Sequence, residues 1–215
     1  MKENKHIPAL RFNWLTKIYN PVVSFTMPEE KFKKELIHQA NINSDDYVLD
    51  FGVGTATLSI LLQEKHPQVF ILGVDVDAKI LEIAKKKIAD KKMDIPLLQY
   101  DGTKLPLPNK HFDKVVTSLV FHHLDKIQKE NALKEIHRIL KPDGQLHIAD
   151  WGKANNSLMR LMFYLVQFLD GFKTTKDNVK GLIPKYLENA EFKNIRISKT
   201  YNTIFGTLSL YHASK

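Results

Sequence analysis

Three groups of residues in this chain have the types and spacings that do chemistry. The first is Asp50-Phe51-Gly52-Val53-Gly54-Thr55-Ala56, an acid followed by two glycines one residue apart and then a third small residue. An apolar run, Tyr47 to Leu49, leads into it, and a run of helical character, Leu58 to Glu64, leads out. A strand that turns sharply through glycine into a helix leaves backbone N–H groups exposed, and small residues let a ligand approach the main chain closely. That is the geometry of a nucleotide site. The second group is Asp75, which closes the apolar run Val69 to Val74 and lies 23 residues after Gly52. The third is His122-His123, just beyond the run Val115 to Val120. Imidazole titrates near neutral pH, so these two are the candidates for moving a proton.

The spacing narrows the nucleotide. A dinucleotide fingerprint needs a third glycine where this chain has Thr57, which counts against a nicotinamide-dependent oxidoreductase. The pattern acid-x-Gly-x-Gly-x-small is met instead. In open α/β sheets ligands bind beyond the carboxyl ends of strands, so Asp75 faces the glycine turn, where two acceptor oxygens suit the two ribose hydroxyls. Asp77 reads as the cap of a helix from Ala78 to Lys92, with a ribose contact as its alternative. A third strand, Ile95 to Tyr100, ends at Asp101-Gly102. There the acid could accept from an exocyclic amine and the Gly102 amide could meet a ring nitrogen; an ordinary Asp-Gly turn is the alternative.

The elements that position these groups follow from hydrophobic periodicity. Continuous apolar runs ending in an acid are expected of strands buried on both faces. Ahead of them lie Leu10 to Phe25, an aromatic-rich segment with a short helix ending near Asn20-Pro21, and a helix from Pro28 to Ala40. Beyond them, Leu105 to Asn109 is a loop, Phe112 to Ser118 a strand, Ala132 to Leu140 a helix and Gln145 to Ala149 a strand ending at Asp150. Ser157 to Leu169 is apolar on nearly every face, yet a helix of that length spans roughly 20 Å against a bilayer core of about 30 Å. It is expected to want two buried faces, lining an apolar pocket, pairing with a subunit or resting on a membrane surface. Ile183 to Phe192 is a final helix, and Asn194 to Tyr201 and Thr207 to His212 are strands joined near Phe205-Gly206.

Asp50 to Ala56, Asp75, Asp101, the run Phe112 to Leu124 and Arg138-Ile139-Leu140-Lys141-Pro142-Asp143-Gly144 stand in one order at compatible spacing. Together, over residues 47–150, they resemble the class I S-adenosylmethionine (SAM) dependent methyltransferases, in particular the UbiE/MenG-like branch of quinone-biosynthesis and phospholipid enzymes. The resemblance implies an α/β fold: a Rossmann-like, seven-stranded, mostly parallel sheet with helices on both faces and a C-terminal antiparallel edge hairpin. It implies one domain over residues 1–215, with a helical lid at 1–40, a SAM-binding core at 41–150 and an apolar helical insertion plus hairpin at 151–215. The implied cofactor is SAM, leaving as S-adenosylhomocysteine. By the same resemblance Asp50 and the backbone of Gly52, Gly54 and Thr55 hold the methionine part, Asp75 and Val76 the ribose side, and Asp101 with Gly102 the adenine. Ser118 and Leu119 border the methyl, His123 contacts the cofactor, Tyr19 closes over it, and His122 or His123 serves as base if the acceptor must lose a proton. The chain departs from the family at Ala56 and Asp143, where glycine is usual, and little consequence is expected of either.

Composition bounds the partners. No cysteine is present, which excludes disulfides and thiolate chemistry and fits a reducing cytoplasm. The net charge is +8, but only four of the 32 basic residues are arginine (Arg11, Arg138, Arg160 and Arg196). Scarce arginine and the missing Asn-Pro-Pro-aromatic signature disfavour RNA methylation. Met1 to Pro8 is polar and has no signal-peptide core. The expected acceptor is a small apolar or lipid-like molecule, no metal set is expected, and a homodimer, a peripheral membrane contact and a SAM-binding protein without turnover stay open.

Overall fold

A computed structural model describes residues 29–215. The predicted leader helix and Tyr19 lie outside the described residues. The first described element, α1 (Glu29–Ala40), buries Phe32, Leu36, Ile37 and Ala40 at helical spacing. The chain then alternates strand and helix: β1 (Tyr47–Phe51), α2 (Thr57–Lys65), β2 (Phe70–Asp75), α3 (Ala78–Asp90), β3 (Leu97–Gln99) and β4 (Phe112–Ser118). A 3-10 turn (Phe121–His123) precedes α4 (Lys126–Ile139) and β5 (Leu140–Trp151). Three helices follow, α5 (Ser157–Asp170), α6 (Phe172–Val179) and α7 (Ile183–Asn189), and the hairpin β6 (Lys193–Thr203) and β7 (Gly206–Ser214) closes the chain.

The seven strands run in the order β3-β2-β1-β4-β5-β7-β6, parallel except where β7 pairs antiparallel with β5 and β6. One face is covered by α1, α2, α3 and α5, whose Leu36, Leu62, Leu81 and Val166 pack with Val48, Ile71 and Val116. The other is covered by α4 and α7 through Leu133, Ile136, Ile183 and Leu187 against Leu49, Val115 and Leu146. At about 1.5–3 kcal/mol per buried large apolar side chain, this two-sided burial holds the layers together. Strand order reverses between β1 and β4, and such a switch point opens a crevice at the strands' carboxyl ends. The glycine turn after β1 and the 3-10 turn after β4 flank it.

Several elements differ from the sequence expectation. β3 is three residues long because Pro96 has no N–H to give the ladder. α4 begins at Lys126, six residues before the apolar periodicity shows, because Asp125 and Gln128 form a capping box. β5 starts at Leu140 and carries the expected turn as a register shift against β4 at Phe112 and Lys114, with Asp143 at φ 64°. α6 is a helix that the sequence did not announce, since Lys-Thr-Thr-Lys-Asp-Asn gives no apolar period. α5 buries only Phe163, Val166, Gln167 and Leu169, so it has one buried face rather than two.

Candidate active site

The glycine turn is built by backbone geometry. Gly52 (φ 71°) and Gly54 (φ 53°) both occupy the left-handed region, and the Gly52 and Val53 amides each donate to the Val74 carbonyl at 2.9 Å. Ala56, also left-handed at φ 59°, caps α2 in place of the usual glycine and is fully buried. Asp50 sits beneath the turn, where its Oδ2 accepts from Ser59 Oγ at 2.6 Å. Burial pushes its carboxyl up to about 6 against the pull of that hydrogen bond and of Lys33. Asp75 braces the turn from β2: Oδ2 accepts from the Gly54 amide at 2.9 Å and Oδ1 from the Asp77 amide at 3.1 Å. Asp77 itself caps α3, accepting from the Lys79 amide at 2.8 Å. Thr55 Oγ1 lies 3.3 Å from Thr57 Oγ1, to which Lys87 Nζ donates at 2.7 Å.

At the ends of β2 and β3, Val76 presents an exposed side chain beside Gly102 (φ 82°), where an added Cβ would stand 3.4 Å from Val76 Cγ1. Asp101 Oδ1 folds back on its own loop, accepting from the Thr103 amide at 2.8 Å and Thr103 Oγ1 at 2.6 Å, and these bonds lower its pKa. At the end of β4, Leu119 adopts φ 60°, which costs a bulky side chain about 1–3 kcal/mol. The Leu119 amide pays part of this back by donating to the Ala149 carbonyl at 2.8 Å. The buried Ser118 Oγ has no hydrogen-bond partner among the described residues.

The two histidines fall into opposite environments. His122 is buried, and a carboxylate can only accept, so its Nδ1–H donates to Asp150 Oδ1 at 2.8 Å. Asp150 also accepts from the amides of Phe121 and Trp151, each at 2.7 Å, and from Asn178 Nδ2 at 3.3 Å. The other ring nitrogen of His122 faces Asp170 Oδ2 at 3.7 Å. Burial alone would lower the His122 pKa, but Asp150 and then Asp170 outweigh it and the net shift is upward. His123 stacks on His122 with ring centroids 3.9 Å apart, and burial, then the charges of His122 and Lys129, take it well below the usual histidine range. The two stacked imidazoles are thus shifted in opposite directions, the separation that distinguishes an acid from a base. Asp170, at the end of α5 beside His122, is raised by burial to about 6.

His122, His123 and Asp170 could also offer a cation three ligand atoms within 4.8 Å of one another. A cation there would have to displace the proton that Asp150 and Asp170 hold on His122, within the field of the Lys129 ammonium. The arrangement suits proton holding better. For SAM the residues fit. A Cβ at Gly54 would meet no heavy atom within 4 Å among the described residues, so the crevice side of the turn is open.

Comparison with known proteins agrees with this geometry. Residues 48–144 match a family described as a methyltransferase domain. A demethylmenaquinone methyltransferase of Lactobacillus johnsonii is 29% identical over 173 residues, 78% of this chain and 69% of that protein. The ubiquinone/menaquinone biosynthesis C-methyltransferase UbiE of Pseudomonas fluorescens is 28% identical over 154 residues, 70% of this chain and 59% of that protein. The chain carries a methyltransferase domain and is a SAM-dependent methyltransferase. The fold agrees: a crystal structure of a SAM-dependent methyltransferase from Aquifex aeolicus superposes with a TM-score of 0.64, at 20% identity, over 94% of this chain and 99% of that one. The cofactor of this methyltransferase is SAM.

Sequence reading did not find the methyltransferase's supporting polar groups. Ser59 under the turn and Asp150, Asp170, Asn178 and Lys129 around the histidines come together only through the fold. A buried acid at a strand end, Asp150, carried the one available signal.

Proposed function

We propose that this methyltransferase transfers a methyl group to a small apolar acceptor of hydroquinone type. The observation that carries the reading is the likeness to a protein named demethylmenaquinone methyltransferase over 78% of this chain. The paired histidines at the end of β4 support it, because a phenolic acceptor must lose a proton as it is methylated.

Bound SAM supplies the electrophile, a sulfonium methyl that becomes the acceptor's new substituent as the sulfonium becomes a thioether. The chain's own task is positioning and proton handling. The open face of the glycine turn at Gly54 receives the methionine end, Asp75 holds the ribose, and Val76 with Gly102 is a platform for the base. Neutral His123 takes the phenolic proton. His122, fixed by Asp150, has its charged form favoured by the neighbouring carboxylates and sets that charge beside the phenolate that forms. On this reading the protein works in the cytoplasm on an acceptor dissolved in or drawn from lipid.

The test incubates the protein with methyl-labelled SAM and a set of demethylated hydroquinones beside aqueous metabolites. Label in the hydroquinone fraction is expected. His123→Gln should lower kcat about a hundredfold while SAM affinity stays within about threefold, as loss of a proton acceptor rather than of binding requires. Label confined to aqueous metabolites would overturn the reading.

A further inference from the structure

α5 lies outside the chemistry just described, and its exposed side asks for an explanation. Leu158, Leu161, Leu165 and Phe168 recur at spacings of three, four and three, which is one stripe along a helix, and Phe172 continues it across the Gly171 break. Leu158 is 69% exposed, Leu161 62% and Phe172 52%, with Tyr164 beside them. A cluster of large apolar side chains left in water marks a contact surface.

The charges around the stripe select its occupant. Between residues 152 and 176 the basic residues are Lys153, Arg160, Lys173 and Lys176, while Asp170 is the single acid. That acid is turned inward to His122, with its side chain 6% exposed. Arg160 lies over the Tyr164 ring at 4.2 Å, so it borders the stripe directly. Lys173 shares its charge with Asp125 at 3.1 Å, but its side chain remains 83% exposed. The rim is therefore predominantly basic, its neighbouring acids Asp125 and Asp177 lying against Lys173 and Lys129. The spacing would also suit pairing with a second copy of the helix, yet two such faces would bring like charges together, with the nearby Asp125 and Asp177 already against Lys173 and Lys129.

We propose that the α5 stripe and its basic rim bind the surface of an anionic lipid bilayer, with the helix lying in the interface plane. Apolar side chains enter the acyl boundary and the lysines and arginine meet headgroup phosphates. No helix among the described residues is long and apolar enough to cross a membrane, so the contact is peripheral. The helix that carries the stripe ends at Asp170, whose inward side chain lies 3.7 Å from His122, so an acceptor leaving the bilayer at the end of α5 is close to the histidines. This purpose rests on the apolar-acceptor reading; the binding does not.

The test is sedimentation of the full chain with phosphatidylcholine vesicles, with and without about a third phosphatidylglycerol. Binding to the anionic vesicles is expected to be at least tenfold tighter than to the neutral ones and to weaken at high salt. Leu161→Glu with Leu165→Glu should abolish it while SAM affinity and melting temperature hold, since both side chains point to solvent. Failure to bind anionic vesicles, or binding that survives the two glutamates, overturns the proposal. So does a dimer that the glutamates dissociate without any vesicle binding. Hydroquinone methylation without vesicle binding removes this inference alone, whereas vesicle binding without hydroquinone methylation removes only the acceptor reading.

Discussion

Gly52 and Gly54 share a left-handed backbone but not their surroundings, and that difference separates folding from binding. At Gly52 an added Cβ would stand 2.3 Å from Val120 Cγ2, so Gly52→Ala combines backbone strain of about 1–2 kcal/mol with overpacking of about 1–3 kcal/mol. At Gly54 the same methyl meets nothing among the described residues and costs only the strain. Gly52→Ala is therefore expected to lower the melting temperature steeply. Gly54→Ala should melt within a few degrees of the parent yet lose at least tenfold in SAM affinity by calorimetry, because its Cβ fills the open crevice. A Gly54→Ala protein that binds SAM normally would place the cofactor elsewhere. These residues were legible in the sequence because glycine spacing is itself the signal. The pairing of His122 with Asp150 and Asp170 was not, since three separate elements must fold before those side chains meet.

At the scale of elements, α6 was illegible for a related reason: tertiary contacts, not its own periodicity, hold it. Lys129 of α4 is buried, and its ammonium donates to the carbonyls of Leu124 at 2.5 Å and Thr174 at 2.6 Å, with Asp177 at 4.0 Å. It thereby ties α4 and the 3-10 turn to α6. Lys129→Met keeps most of the volume but strands two buried carbonyls and a carboxylate, and each orphaned acceptor costs about 1–3 kcal/mol. We expect a loss of about 2–4 kcal/mol in urea denaturation. Hydrogen exchange in residues 172–179 should rise more than in α7, which packs through Ile183 and Leu187 instead. Uniform loss of protection across both helices would show that Lys129 holds the whole layer rather than α6. By contrast α1, α2 and α3 were legible from their apolar faces, and the parallel strands from unbroken apolar runs, because those patterns record burial directly.

Taken as a whole, the molecule holds its ionisable groups in ways that make its stability fall with acid. Burial lowers the pKa of His66, His123, His137, His147 and His212. A base whose folded pKa is depressed stays neutral while the unfolded chain takes up a proton, so its contribution is present above about pH 6.5 and is lost as pH falls below that. Asp50 and Asp170, each raised to about 6, and His122, raised by Asp150 and Asp170, act the other way, binding protons in the folded state at a higher pH than in the unfolded chain. The histidines outnumber them, so stability should decline from pH 7 to pH 5. His147 gives the clearest single case. It is fully buried in β5, lies 5.0 Å from the His212 ring and 3.1 Å from Gln39 Nε2, and is shifted well down by burial and then by His212. A histidine held neutral in the folded state forgoes proton binding that the unfolded chain gains as pH falls below about 6.5. His147→Gln should therefore make the loss between pH 7 and pH 5 measurably smaller in paired urea titrations, whatever it costs at pH 7. An unchanged pH dependence would mean that the core opens enough on acidification to protonate His147 in place.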